Sequence, residues 1–197
     1  MRRIVSQTHM SLDGLIELME QWHFDYFDDE LSAVVAGQLA TSDALLLGRR
    51  TYEGFAEVWP SATGDIADKI NSMRKYVVST TLDDPAWENT TVIRGDLVDT
   101  VARLKAEPGQ DIIMYGFGPV AETFLRHGLL DEIQIGINPV LAGIGAPDQL
   151  LHRAGNAARL ELTGSRVLGS GIVVLTYRPA PASAVTADAR PGREEQP

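Results

Sequence analysis

Two stretches of the chain run from a block of apolar residues directly into glycine, hydroxyl and basic residues, the combination from which anion sites are built. In the first, Leu47-Gly48-Arg49-Arg50-Thr51-Tyr52-Glu53, a buried strand ends at Gly48 and a helix begins at once. The free N–H groups of a helix start, two guanidinium groups and a hydroxyl together suit a phosphate. The same residues also read as a solvated helix start, with Glu53 pairing one arginine and Thr51 supporting the first turn. The second stretch is Tyr115-Gly116-Phe117-Gly118-Pro119-Val120-Ala121. Its Gly116-x-Gly118-x-x-Ala121 spacing is formally a dinucleotide fingerprint, and Pro119 suits a first helical position. A Rossmann unit calls for an acid at the end of the next strand, and Gln134–Pro139 offers none. A phosphate-cradling turn outside that fold is the better reading.

A third candidate is Ser11-Leu12-Asp13-Gly14, where Asp13 either orients a substrate or forms an Asx turn. Nearby, Trp22, His23, Phe24, Tyr26 and Phe27 form an aromatic cluster, read as core, as a lid, or as a wall for a flat heterocycle. A lone histidine such as His23 is more often structural than catalytic. The nucleophile elbow, the P-loop and the H-E-x-x-H zinc motif are all absent.

Composition narrows the field further. The chain has 197 residues, 44% hydrophobic, with no cysteine. Thiol chemistry, disulfides and cysteine-ligated metals are thereby excluded. The four histidines, His9, His23, His127 and His152, show no i, i+4 or HxH spacing, so no metal site is expected. A net charge of −10 argues against a general nucleic-acid or anionic-membrane binder, although a local anion site remains compatible with it. With no apolar run of membrane-spanning length and no signal-type start, the expectation is a cytoplasmic protein.

The elements that must position these residues alternate between strand-like and helical patterns. Strands are expected at Ile4–Met10, Ala44–Leu47, Tyr76–Val78, Ile112–Met114 and through the alternating Ile133, Ile135 and Ile137. Helices are expected after Asp28 or Asp29, over Arg50–Trp59 and Ile66–Met73, from the cap Asp96 to Lys105, and over Phe117–His127 with Gly128 as its stop. Arg159–Val167 and Ile172–Arg178 read as a closing antiparallel hairpin. The predicted fold class is α/β, a mostly parallel, doubly covered sheet with an antiparallel C-terminal edge. Residues 1–178 form one domain in this reading, and 179–197, with four prolines and no aromatic residue, form a disordered tail.

Taken in order, these pieces resemble the three-layer dihydrofolate reductase-like fold, and more closely the riboflavin-type reductase domain family. The matching segments are Met10–Gly14, Ser42–Glu53, Lys75–Thr81, Gly128–Ile133, Pro139–Gly143 and Gly171–Tyr177, which together span nearly all of 1–178. The resemblance implies an NADPH-dependent reductase, usually a homodimer, acting on a nitrogen heterocycle as the 5-amino-6-(5-phosphoribosylamino)uracil reductase domain does. It assigns Gly48, Arg49, Arg50 and Thr51 to the cofactor phosphates, and Ser79 and Thr80 to the neighbourhood of the adenosine 2′-phosphate. Tyr115, Gly116, Phe117, Gly118, Pro119 and Val120 become the pyrophosphate loop, with Tyr115 facing the nicotinamide.

Asp13 matches the aspartate beside substrate and nicotinamide, and the substrate would lie among Asp13, Trp22, Phe24 and Tyr52. Counting back along the first long helix places the carboxylate of a dihydrofolate reductase at Glu30. The chain departs from the family in carrying Gly116-Phe117-Gly118 where consecutive small residues are usual, and in the loop Gly143–Leu151. Two other readings stand beside the leading one: a true dihydrofolate reductase, which needs a carboxylate in the pteridine pocket, and a non-catalytic ligand-binding or interaction protein on the same fold.

Overall fold

The computed structural model describes residues 1–152 and 157–180. Its strands are β1 (Ile4–Met10), β2 (Ser42–Gly48), β3 (Arg74–Val78), β4 (Thr90–Ile93), β5 (Asp111–Tyr115), β6 (Glu132–Ile137), β7 (Leu160–Val167) and β8 (Val173–Pro179). Its helices are α1 (Asp29–Ala40), α2 (Arg49–Val58), α3 (Asp65–Ser72), α4 (Leu97–Ala106) and α5 (Pro119–Arg126). The strands form one eight-stranded sheet in the order β4-β3-β2-β5-β1-β6-β8-β7. The first six strands in the chain pair in parallel. β8 runs antiparallel to both β6 and β7. This is a three-layer α/β/α arrangement of the dihydrofolate reductase-like type, closed by the expected antiparallel hairpin.

The continuous apolar run in β2 is explained by its two covered faces. Ala44 and Leu46 pack with Val101 and Leu104 of α4 and Ala121 and Phe124 of α5. Leu45 and Leu47 pack on the other side with Leu39 of α1, Tyr52 of α2 and Ile70 of α3. Period-two alternation between two buried faces leaves no polar position along such a strand. Helix starts are set by local chemistry. Asp28 accepts from Leu31 N at 2.8 Å, and Asp96 accepts from Asp99 N at 3.0 Å. α5 stops where Gly128 takes a positive φ of 66°.

Three details differ from the sequence reading. β4 is an additional parallel edge strand built from Thr90, Thr91, Val92 and Ile93. Residues β-branched at every position favour an extended backbone, but four of them are too few to stand out. β8 continues to Pro179, and Ala180 N donates to Arg159 O at 2.9 Å. The remainder of the expected tail, residues 181–197, lies outside the described residues. Finally, β6 alternates as expected, but its polar side is not solvated: Asn138, just beyond the strand, is fully buried, and Gly136 is also buried. Among the described residues, no helix is long and apolar enough to cross a membrane.

Candidate active site

The C-terminal ends of the parallel strands carry the candidate residues. Strands β2 and β5 are neighbours, so α2 and α5, which follow them, begin side by side. Both N-caps are glycines, Gly48 and Gly118, which provide no side-chain cap. The first-turn N–H groups are therefore left for another acceptor. The two turns approach closely. A β-carbon on Gly48 would meet Val120 Cγ2 at 3.9 Å, and one on Gly116 would meet Thr51 Oγ1 at 4.0 Å. Gly116 has φ +90°, a conformation that glycine adopts without strain. Phe117, the bulky member of this loop, is only 5% exposed and packs into the core between the sheet and α5. The turn thus presents backbone at the surface and buries its side chain. Two uncapped helix starts in contact form a cradle for an anion with two phosphate groups.

Beside this cradle lies a cleft of about 360 Å³ lined by Arg49, Val78, Ser79, Thr80, Thr81, Ile93, Gly95 and Leu97. Arg49 is held across its mouth. Its Nε donates to Glu53 Oε1 at 2.6 Å and its Nη1 donates to Thr81 Oγ1. Ser79 Oγ accepts from Leu82 N at 3.0 Å and Thr81 N at 3.2 Å, which folds the loop back toward Arg49. Arg50 is exposed, and its nearest acid is Glu17 at 3.8 Å. The cleft thus offers a guanidinium, hydroxyls and apolar walls from Val78, Ile93 and Leu97, a set that fits a phosphorylated nucleoside. On the opposite side of the sheet end, the Tyr115 ring packs on Phe55 at 5.3 Å. Its hydroxyl is buried with no hydrogen-bond partner, and burial pushes its pKa up, so it remains a proton-bearing donor.

The carboxylates are placed differently from one another. Asp13 Oδ1 accepts from Ser11 Oγ and from Ala142 N at 3.0 Å, and Oδ2 accepts from Gly143 N at 2.8 Å. These bonds hold its pKa at about 2, with the Ser11 hydroxyl the largest contributor. Asp13 ties the loop after β1 to the loop after β6, and Leu12 N to Val140 O at 2.8 Å and Ile16 N to Gln149 O at 3.0 Å continue the seam. Glu30 lies in the first turn of α1, beside the turn between β7 and β8. It accepts from Gly169 N and Arg166 Nη2, both at 2.7 Å, and these lower its pKa. It latches α1 to the β7–β8 turn, beside a small apolar cluster of Leu31, Leu168 and Ile172.

The residues expected to surround substrate each have their own local contacts. Tyr52 is buried, stacks near Trp87 at 6.1 Å and accepts from Trp87 N at 3.2 Å through its hydroxyl, so it braces α2 against the 79–89 loop. Trp22 is buried and donates through Nε1 to Glu17 O at 2.8 Å. Phe24 is 61% exposed and its ring lies tilted against His23, with centroids 5.4 Å apart. Among the described residues, no group of acidic or histidine side chains is placed to hold a metal.

One polar group of residues was not singled out from the sequence. Between α1 and the sheet, Gln7, His9, Gln38 and Gln134 line a crevice with Leu31, Val34, Gly136 and Val174. No carboxylate is among them. The sequence signal was the alternation of Gln7 with His9 and of Gln134 with Gly136 and Asn138, which places polar groups on one face of two paired strands.

The comparisons with known proteins bear on the family and the fold. The family model of the RibD C-terminal domain matches residues 2–174. The uncharacterized protein YyaP of Bacillus subtilis is 29% identical over 182 residues, covering 89% of this chain and 94% of that one. A putative riboflavin biosynthesis protein from Shewanella sp. PV-4 superposes with a TM-score of 0.69 at 22% identity, over 91% of this chain and 99% of that chain. The diaminohydroxyphosphoribosylaminopyrimidine deaminase/5-amino-6-(5-phosphoribosylamino)uracil reductase of Thermotoga maritima superposes with a TM-score of 0.61 at 15% identity, over 91% of this chain and 57% of that one. A match running from the second residue to the start of β8 takes in every element that shapes the cradle and the cleft, and the chain belongs to the RibD C-terminal domain family.

Proposed function

We propose that the chain is an NADPH-dependent reductase that delivers a hydride to a small nitrogen heterocycle, in the manner of the riboflavin-pathway reductases it resembles. The observation that carries this reading is the pair of contacting, uncapped helix starts at Gly48 and Gly118, continuous with the Arg49-lined cleft. Bound there, the cofactor would supply the hydride. The N–H groups of Arg49–Thr51 and of Val120–Ala121 hold the pyrophosphate. Arg49, with the hydroxyls of Ser79 and Thr80, takes the 2′-phosphate, which an acid at this position would repel. Tyr115 offers a protonated hydroxyl on the α1 side of the sheet ends. Asp13 acts by holding the two loops together at the mouth of the site. The absence of a carboxylate in the α1 crevice speaks against a true dihydrofolate reductase. Titration of intrinsic tryptophan fluorescence with NADPH tests the reading, and no response at about millimolar cofactor would overturn it.

We also propose that a second copy of the chain covers the outer part of the sheet. β7 is exposed along most of its length, with Leu162 at 54% and Val167 at 71%. The register pairs Leu162 with Tyr177 and Val167 with Val173, which puts an apolar strip on one face of the hairpin. Such a strip favours association over solvation.

A further inference from the structure

The connections that leave β1 and β5 part at the sheet ends. From β1 the chain crosses through α1 to β2, and from the neighbouring β5 it crosses through α5 to β6, in the opposite direction. α1 packs on one face of the sheet and α5 on the other. Strand ends whose connections separate in this way open a crevice between them, and ligands of open α/β sheets bind there. The uncapped glycine starts of α2 and α5 flank one side of it. The other side is built by residues 11–28 after β1 and 138–151 after β6, joined by Leu12 N to Val140 O.

The two sides treat an anion in opposite ways. Residues 11–28 and 138–151 contain no lysine or arginine. Arg50 and Arg166, which reach this side, are both set against acids: Arg50 Nη1 lies 3.8 Å from Glu17 Oε1, and Arg166 Nη2 donates to Glu30 at 2.7 Å. Backbone donors are taken as well. Asp13 accepts from Ala142 N and Gly143 N, Gln149 Oε1 from Ala146 N at 2.7 Å, and Ser11 Oγ from Leu15 N at 3.0 Å. α1, which begins beside these loops, is capped by its own Asp28 and carries Asp29 and Glu30 in its first turn. Its N-terminal dipole is thereby already offset. The same loops expose Leu12, Leu141 and Ile144, at 59%, 71% and 41%.

We propose that this side of the site receives a substrate without a phosphate, one that turns an uncharged, partly apolar group toward Leu12, Leu141 and Ile144. The inference rests on the reductase reading above and narrows its substrate class. A phosphate entering here would lose hydration, find the nearby donors occupied, and face the carboxylates of Asp13 and Glu17. An uncharged group incurs neither cost and covers exposed apolar surface. The Thermotoga maritima neighbour is named for reduction of a phosphoribosylamino compound, and this chain shares its fold. The substrate of this chain differs in lacking the anionic group.

The test uses the full chain with saturating NADPH and a matched pair of probes, 5-amino-6-(5-phosphoribosylamino)uracil and the same compound without its phosphate. NADPH oxidation gives kcat/KM for each. The dephosphorylated probe should lead by about tenfold, the size of a like-charge penalty at a partly exposed site. For the phosphorylated probe kcat/KM should rise about threefold between roughly 20 and 300 mM salt, while that of the other stays level. Leu141→Lys, a change at an exposed position, should improve the phosphorylated probe several-fold and leave the NADPH dissociation constant within about twofold. Arg153, just beyond the second loop in sequence, lies outside the described residues, and Arg153→Ala should leave the preference unchanged. The proposal is overturned by a phosphorylated probe used equally well or better, by turnover of neither with NADPH bound, or by a preference indifferent to both salt and Leu141→Lys. Selective loss of the phosphorylated probe in Arg153→Ala overturns it too. Failure of NADPH to bind, followed separately by tryptophan fluorescence, would instead strike the reductase reading.

Discussion

The imidazole rings of His9 and His23 lie with centroids 4.1 Å apart, and both are fixed by the single amide of Asn138. Burial, followed by the neighbouring His23, pushes the His9 pKa down from 6.5 to about 3. His23 is lowered for the same first reason. Between these limits the unfolded chain binds more protons at His9 than the folded one, so stability is complete above about pH 6.5 and falls on acidification. The His9 share of that loss should be on the order of 3 kcal/mol by about pH 4. Urea unfolding followed across this range in the native chain and in His9→Phe is the check, and the variant should show a much flatter profile.

Gly136 and His9 form a second coupled pair. A β-carbon on Gly136 would sit 2.5 Å from His9 Nδ1 and 2.6 Å from Cε1. Gly136→Ala should therefore destabilise the fold by about 1–3 kcal/mol through overpacking. His9→Ala removes the obstruction, so the two changes should be non-additive by roughly 1 kcal/mol in a double-mutant cycle.

Arg49→Ala should weaken NADPH by about 10–100-fold, the worth of a charge-assisted contact to a phosphate, and NADH by no more than about twofold. Parallel tryptophan-fluorescence titrations decide the matter. Equal losses for both nucleotides would remove Arg49 from the 2′-phosphate.

Asp13→Asn exchanges one carboxylate oxygen for an NH₂ that cannot accept from Gly143 N or Ala142 N. Hydrogen exchange at those two amides should rise about tenfold as the seam loosens. Because Asp13 titrates near pH 2, the acid limb of any activity profile should keep its position in this variant. A limb that moves would make Asp13 a proton donor.

Leu162→Asp places a charge in the apolar strip of the β7–β8 hairpin, where Leu162 is 54% exposed. Light scattering should report a dimer for the native chain and a monomer for this variant, with the fold of each intact by circular dichroism.

Most of the architecture is legible in the sequence because the β2 and β5 cores are apolar on both faces and the helices announce themselves through Asp28, Asp96, Pro119 and Gly128. β4 escapes because Thr90–Ile93 is too short to separate from a loop. The paired glycine helix starts are legible for a similar reason: glycine, hydroxyl and arginine cluster within a few residues at strand ends. Tyr52 and Glu30 are harder, since a helical position does not say which way its side chain turns, and here Trp87 and Gly169 decide it. The crevice is hardest of all. Gln7, Gln38 and Gln134 come from three elements, and glutamine is read as a surface residue until a helix is found lying over it.

Glu30 has a mechanical consequence. Because its two oxygens grip Arg166 and the Gly169 amide, the first turn of α1 cannot lift without pulling the tip of the β7–β8 hairpin with it. Leu31, the next residue, is a wall of the crevice. The position of α1 over the sheet is thus geared to the tip of the hairpin at the sheet's far edge.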